Sequence, residues 1–228
     1  MLYFADTADL NEIKELIDYF PLAGITTNPS ILKKSGMKLS SVFSEISPLA
    51  GQKMLHIQLI SDVAGNMVKE ALKYRAILND SQHLYIKIPV TPEGYKAMRL
   101  LKELDFQITA TTVFTQQQAM IAARAGADFV APYVNRLEKY NSLGIQLISN
   151  LAKSLKDFNL ETKILAASFE SIEQVQHASM AGAHAVTLNY QLFKKIIHHP
   201  LTDKAVEQFR EDGRLMYDIP FEKIRRND

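Results

Sequence analysis

Leu84-Tyr85-Ile86-Lys87-Ile88-Pro89 sets one lysine in the middle of a short apolar run that ends at a proline. A run of that length and composition fits a strand covered on both faces. There an ammonium needs a partner or gives up its proton more readily than in water. No Asp or Glu lies within the run to pair with it. A neutral lysine amine attacks carbonyls, so the chemistry on offer at Lys87 is Schiff-base formation. The ordinary alternative is a lysine at a strand end with its head in water.

Which of these holds depends on the elements around it. Strand-like runs at 2–5, 24–27, 54–60, 84–89, 107–114, 128–133, 163–169 and 185–188 alternate with helical patterns. Asp6 or Thr7 is placed to cap the first helix, and Asn28, ahead of Pro29, the second. A helix is expected over 39–49, and Asp62 is placed to cap another whose Val63, Met67, Ala71 and Tyr74 share one stripe. Ser171 and Gln174 have the spacing of a capping box. Gly126 and Gly182 read as helix stops. Eight strands with a helix-length crossover after each give an α/β fold, a single (β/α)8 TIM barrel over 1–228. A doubly wound open sheet is the alternative, but it would place ligands on glycine-rich turns, and no G-x-G-x-x-G or Walker loop is present. Past the eighth strand, 190–198 and 201–217 read as two further helices. The second is an extra C-terminal helix with Ala205, Val206 and Phe209 on an apolar stripe.

In such a barrel the active site lies at the C-terminal ends of the strands. Those ends carry Asp6, Thr26 with Asn28, Gln58, Lys87, Thr111, Tyr133 with Arg136, and Ser168. Singly each has an ordinary role as a cap or strand former. Together, seven strands deliver polar groups to one face, and one of them is a lysine.

Bulk composition narrows the class. The charges nearly cancel, 26 basic against 25 acidic residues for a net +1, which leaves no electrostatic footprint for nucleic acid. The chain has no cysteine, which excludes disulfides and thiol chemistry. His177, His184, His198 and His199 match no ligand spacing, so no metal is expected. No apolar stretch is long enough for a membrane span, and the first six residues reach an acid too soon for a signal peptide. A soluble cytoplasmic protein is expected.

Four segments carry a resemblance: Gly24-Ile-Thr-Thr-Asn-Pro-Ser30, Ile86-Lys-Ile-Pro-Val-Thr-Pro-Glu-Gly94, Val130-Ala-Pro-Tyr-Val-Asn-Arg136 and Leu165-Ala-Ala-Ser-Phe169. In this order and spacing they resemble the small transaldolase family, most closely its fructose-6-phosphate aldolase branch, over essentially the whole chain. The resemblance implies a TIM barrel whose Schiff-base lysine stands on the fourth strand, where Lys87 is. It implies a class I aldolase of carbohydrate metabolism, cleaving and forming fructose 6-phosphate from dihydroxyacetone and glyceraldehyde 3-phosphate without a cofactor. Asp6 would contact donor hydroxyls and assist proton transfer, and Thr26 and Asn28 would position the donor or the lysine. Gln58 and Thr111 would hold a water with the Tyr133 hydroxyl in reach, and Arg136 and Ser168 would bind phosphate. Burial among Leu84, Ile86 and Ile88 would keep the Lys87 amine neutral.

Gln58 and Tyr133 stand where transaldolases of the family carry glutamate and phenylalanine, which favours the aldolase branch. A transaldolase handing the three-carbon unit to erythrose 4-phosphate, as in the pentose phosphate pathway, is the alternative. A sugar-phosphate-binding barrel without turnover is a second, and it draws on Glu170, which replaces a cation usual in the family. The family's pentameric and decameric assemblies imply a homo-oligomer, with 201–217 packing on a neighbouring subunit.

Overall fold

Strand and helix alternate from the N-terminus: β1 (Leu2–Asp6), α1 (Leu10–Tyr19), β2 (Gly24–Thr26), α2 (Pro29–Ser35), α3 (Leu39–Ser41), α4 (Ser47–Ala50), β3 (Met54–Gln58) and α5 (Ala64–Ile77). The series continues with β4 (Leu84–Pro89), α6 (Pro92–Lys102), β5 (Gln107–Val113), α7 (Gln116–Arg124), β6 (Phe129–Pro132), α8 (Val134–Glu138), α9 (Gly144–Asp157), β7 (Lys163–Ala166), α10 (Ile172–Met180), β8 (Ala185–Leu188), α11 (Tyr190–Ile197) and α12 (Pro200–Met216). The computed structural model describes residues 1–79, 83–140 and 143–218. Each strand pairs in parallel with the next, and β8 pairs with β1, which closes an eight-stranded barrel. The protein contains a (β/α)8 barrel, followed in the sequence by α12.

The chain divides into two compact units, Met1–Phe193 and Lys194–Asp228. The first holds the barrel. Its interior floor is apolar, with Phe4, Phe129, Leu165 and Ala185 packed together and Tyr85 against them. Gly24 makes room for this floor: a Cβ there would fall 2.2 Å from the Met54 carbonyl oxygen and 2.7 Å from the Phe4 ring. Outside, α1 buries Ile13 and Leu16, and α9 buries Leu147, Ile148, Leu151 and Leu155. Each fully buried leucine or isoleucine contributes about 1.5–3 kcal/mol of transfer free energy. Gly94 sets the end of β4, since a Cβ there would stand 2.0 Å from the Pro89 carbonyl oxygen. The first turn of α6 therefore rests directly on the strand that carries Lys87.

Several local expectations change. The stretch 39–49 is helical but widens at its centre into a π-helical turn, Val42–Ile46. Asp62 does not cap α5. Glu93 Oε2 accepts the Ala64 amide at 2.8 Å, and Glu70 accepts the Ile60 and Ser61 amides at 3.2 and 3.0 Å. Of the expected stripe, Met67, Ala71 and Tyr74 are buried, but Ala64 takes the place of Val63. The cap of α1 is Asp9, whose carboxylate accepts from Asn11 and Glu12. This leaves Asp6 for the barrel mouth. Asn28, Ser171 and Gln174 cap as their spacing indicates.

The second unit contains α12, which has no buried residue. Leu201, Phe209, Leu215 and Met216 on it are 69%, 71%, 84% and 77% exposed. Among the described residues no helix is long and apolar enough to cross a membrane.

Candidate active site

Lys87 is 6% exposed, so the reading of a solvated strand end does not hold. It lies at the bottom of a cavity of about 290 Å3 at the C-terminal ends of the strands. Asp6, Thr26, Asn28, Thr111, Tyr133, Arg136 and Ser168 line the same cavity. Gln58 does not. It shares the register of Lys87 across β3 and β4 but lines a neighbouring cleft with Leu59, Asp62 and Pro89. Eight of the nine expected residues line that one cavity, and Gln58 stands beside them in the register of Lys87, at the adjoining cleft.

Lys87 Nζ donates to the Thr27 carbonyl oxygen at 2.8 Å. Burial pushes its pKa below the ordinary lysine range, and the charge of Asp6 opposes that shift. The enclosure comes from the barrel interior. Successive strand residues face opposite sides, so Ile86 and Ile88 are turned away from the cavity and do not line it. That corrects the expected source of desolvation.

Asp6 is held from β2, and β8 supports that contact through Thr187. Thr26 Oγ1 donates to Asp6 Oδ1 at 2.6 Å and meets Thr187 Oγ1 at 2.6 Å. Because the single Thr26 hydroxyl proton goes to the carboxylate, Thr187 is the donor to Thr26. Burial raises the Asp6 pKa, while the Lys87 charge and the Thr26 bond pull it down. Thr187 supplies the eighth strand's polar group, which sequence reading missed because threonine is an ordinary strand former.

Across the mouth, Thr111 Oγ1 and Tyr133 OH are 3.0 Å apart. The β5–β6 register shifts between Ala110 and Val113, where Thr112 has φ 59°. Ser168 has φ 62°. Such left-handed non-glycine residues are costly and concentrate at functional sites. The Tyr133 ring lies edge-on to Phe114, and the Arg136 guanidinium lies over its face, 4.8 Å from the centroid. Arg136 belongs to α8, a short helix that follows β6 directly.

Ser168 precedes α10 by a few residues, but the amides near that helix start are already engaged. Gln174 N–H donates to Ser171, while the Glu170 and Ser171 amides donate to Gln174 Oε1. Those three amides are therefore not turned to an anion beside Ser168. Glu170 is tied to Lys139 at 2.6 Å on the exposed surface and does not line the cavity. Lys34, from the last turn of α2, does, and it brings a second cation that sequence reading overlooked.

One buried group went unnoticed in the sequence. His56 is fully buried inside the barrel, with Nδ1 2.9 Å from Thr109 Oγ1 and its ring stacked on Tyr85 at 4.6 Å. Its Nε2 has no partner among the described residues. Burial, with the Lys87 charge, holds its pKa well below the histidine range. Among the described residues no group of three or more metal-ligating side chains forms.

A closed parallel barrel with a buried lysine, a carboxylate and a hydroxyl pair at its C-terminal mouth defines an enzyme site of the lysine-dependent aldol type. The chain belongs to the transaldolase/fructose-6-phosphate aldolase family, whose model matches residues 3–222. It is 36% identical over 214 residues to a probable transaldolase of Thermoanaerobacter sp. (strain X514), covering 94% of this chain and 97% of that one. It is 39% identical over 214 residues to a probable fructose-6-phosphate aldolase of Streptococcus pneumoniae, covering 93% and 96%. A probable transaldolase of Leptospira biflexa is 37% identical, with 94% and 98% covered.

Proposed function

We propose that this protein is a class I aldolase that cleaves and forms fructose 6-phosphate, with dihydroxyacetone as donor and glyceraldehyde 3-phosphate as acceptor. The observation that carries the reading is Lys87, buried and pushed toward its neutral form beside Asp6, facing the Thr111–Tyr133 pair. The neutral amine adds to the C2 carbonyl, the oxygen takes a proton, and loss of water gives an iminium. Tyr133, directly or through a water, removes the proton of the C4 hydroxyl as the C3–C4 bond breaks. The bonding pair moves into the iminium to give an enamine on Lys87, and glyceraldehyde 3-phosphate leaves. A proton then goes to C3 of the enamine, and water hydrolyses the imine to release dihydroxyacetone and the free amine.

Asp6, held by Thr26 and through it by Thr187, contacts the donor hydroxyls, and Asn28 orients the donor beside it. Arg136 and Ser168 hold the acceptor phosphate, with Lys34 as a further cation in the same cavity. The outward pairing of Glu170 with Lys139 removes the objection that a carboxylate would repel that phosphate. Glu170 was the feature that favoured binding without turnover, and this pairing supports the catalytic reading over it. The choice of the aldolase branch rests on Tyr133 and on a third strand that ends in Gln58 and offers no carboxylate.

The test is fructose 6-phosphate cleavage with and without added erythrose 4-phosphate. Cleavage without acceptor is expected, and turnover that appears only with acceptor would make the protein a transaldolase. Borohydride reduction in the presence of dihydroxyacetone is expected to leave a reduced three-carbon unit on Lys87, read by mass spectrometry. An unmodified lysine would return the binding-only alternative. The exposed apolar residues of α12 further support a homo-oligomer in which that helix packs on a neighbouring copy.

A further inference from the structure

The Tyr133 ring is held at three points of unequal firmness. Its hydroxyl meets Thr111 at 3.0 Å, and its edge meets Phe114 with centroids 5.5 Å apart. Both partners come from β5 or the residue directly after it. The third point is Arg136, whose guanidinium lies 4.8 Å from the ring centroid. Arg136 is exposed on a five-residue helix, and no carboxylate among the described residues pairs with it. A cation over an exposed aromatic face is held by only about 0.5–1 kcal/mol. An anion gripping the guanidinium in bidentate fashion holds it more firmly.

We infer that Arg136 is a positioning residue for Tyr133 as well as an anion ligand, so that a dianion on the acceptor speeds the proton-transfer step and does more than tighten binding. The inference rests on the aldolase reading above. A phosphate seated between Arg136 and Ser168 fixes the guanidinium plane, and that plane fixes the face of the ring whose hydroxyl moves the proton. With an unphosphorylated acceptor the guanidinium has only the ring to hold it, and the ring has one support fewer. Binding energy from a remote part of the substrate is thereby used at the reacting centre. A lysine in place of Arg136 would keep the charge but lose the flat contact with the ring.

The probe is inorganic phosphite dianion added to the full-length protein during aldol addition of dihydroxyacetone to glyceraldehyde, which lacks the phosphate. In the native protein, saturating phosphite is expected to raise kcat about tenfold. In Arg136→Met, kcat with glyceraldehyde should fall and the activation should vanish. Arg136→Lys should bind phosphite but activate less. Tyr133→Phe should be insensitive to phosphite, since the group being positioned is gone. An affinity handle alone would give equal kcat with glyceraldehyde in the native protein and Arg136→Met, with phosphite inert or inhibitory, and that result overturns the inference. So does activation that survives Tyr133→Phe. Borohydride trapping on Lys87 separates the two levels: trapping without phosphite activation defeats this inference alone, and no trapping defeats the aldolase reading beneath it.

Discussion

Lys87 Nζ donates a 2.8 Å hydrogen bond to the Thr27 carbonyl, which ties the amine of β4 to the β2 segment that also carries Thr26 and Asn28. A neutral amine can make that bond through one N–H and still present its lone pair to a ketone. Lys87→Met should abolish both turnover and borohydride trapping while leaving the circular dichroism spectrum native. Loss of trapping together with the fold would make the lysine structural.

The charge of Asp6 reaches the same amine. Burial lowers the Lys87 pKa and Asp6 raises it again, so removing that carboxylate should lower it further. Imine formation needs the neutral amine and fails on the acid side as Lys87 protonates. Asp6→Asn should therefore trap more slowly at its optimum, because donor contacts are lost, yet move the acid limb of trapping to lower pH. An unmoved limb, or one displaced to higher pH, would show that the two residues are not electrostatically coupled.

In the proposed mechanism Tyr133 and Thr111 act after the imine has formed. Tyr133→Phe should cut fructose 6-phosphate cleavage by about 10²- to 10³-fold, the range for loss of a general acid–base group, with trapping of dihydroxyacetone largely retained. Thr111→Val removes one neutral hydrogen bond, about 1 kcal/mol, and should cost about five- to tenfold. Equal losses of trapping and cleavage in Tyr133→Phe would place the tyrosine in imine formation instead.

The barrel and most of its mouth were legible because two periodicities carry them: apolar runs of strand length and helical stripes between them. Lys87 stood out as a charge in an apolar run, and the four short segments fixed the order of the strands. Asp6 was ambiguous between cap and site, and only the Asp9 cap of α1 separates the two. Thr187 and His56 were hidden for different reasons. A threonine in a strand looks ordinary, and the burial of His56 comes from Phe4, Phe129 and Tyr85, which the chain brings together from three other strands. Gln58 aligns with Lys87 across the sheet and, two residues from the inward-facing His56, shares its face of β3, at the edge of the adjoining cleft.

His56 should make the protein sensitive to acid. Its pKa is depressed in the fold, whereas in the unfolded chain it returns to about 6.5. Below about pH 6.5 the unfolded state then binds a proton that the native state does not, so stability falls as pH falls, by up to about 1.4 kcal/mol per pH unit. His184, also depressed, acts in the same direction, and the raised pKa of Asp6 acts in the opposite one. A difference between two proteins isolates His56. His56→Phe keeps a flat ring among the aromatic neighbours and gives up the Thr109 bond. Denaturant midpoints from pH 7.5 down to 4.5 should fall less steeply in the variant than in the native protein. Parallel curves would mean that His56 takes up its proton inside the fold.

The α12 helix gives a prediction about assembly. Its first turns carry Asp203 and its last turn Arg214, charges that suit the two ends of the helix dipole. Leu201, Phe209, Leu215 and Met216 are nevertheless all more than two-thirds exposed. Apolar side chains gathered along one helix are costly in water, and a second copy of the chain would remove them from it. The native protein should scatter light as a species of several subunits at micromolar concentration. Phe209→Asp, or a chain ending at His199, should shift it toward the monomer while the barrel keeps its circular dichroism and Lys87 can still be trapped. A monomeric native protein would show that α12 has no such partner. An oligomer unchanged by either variant would put the interface on the barrel itself.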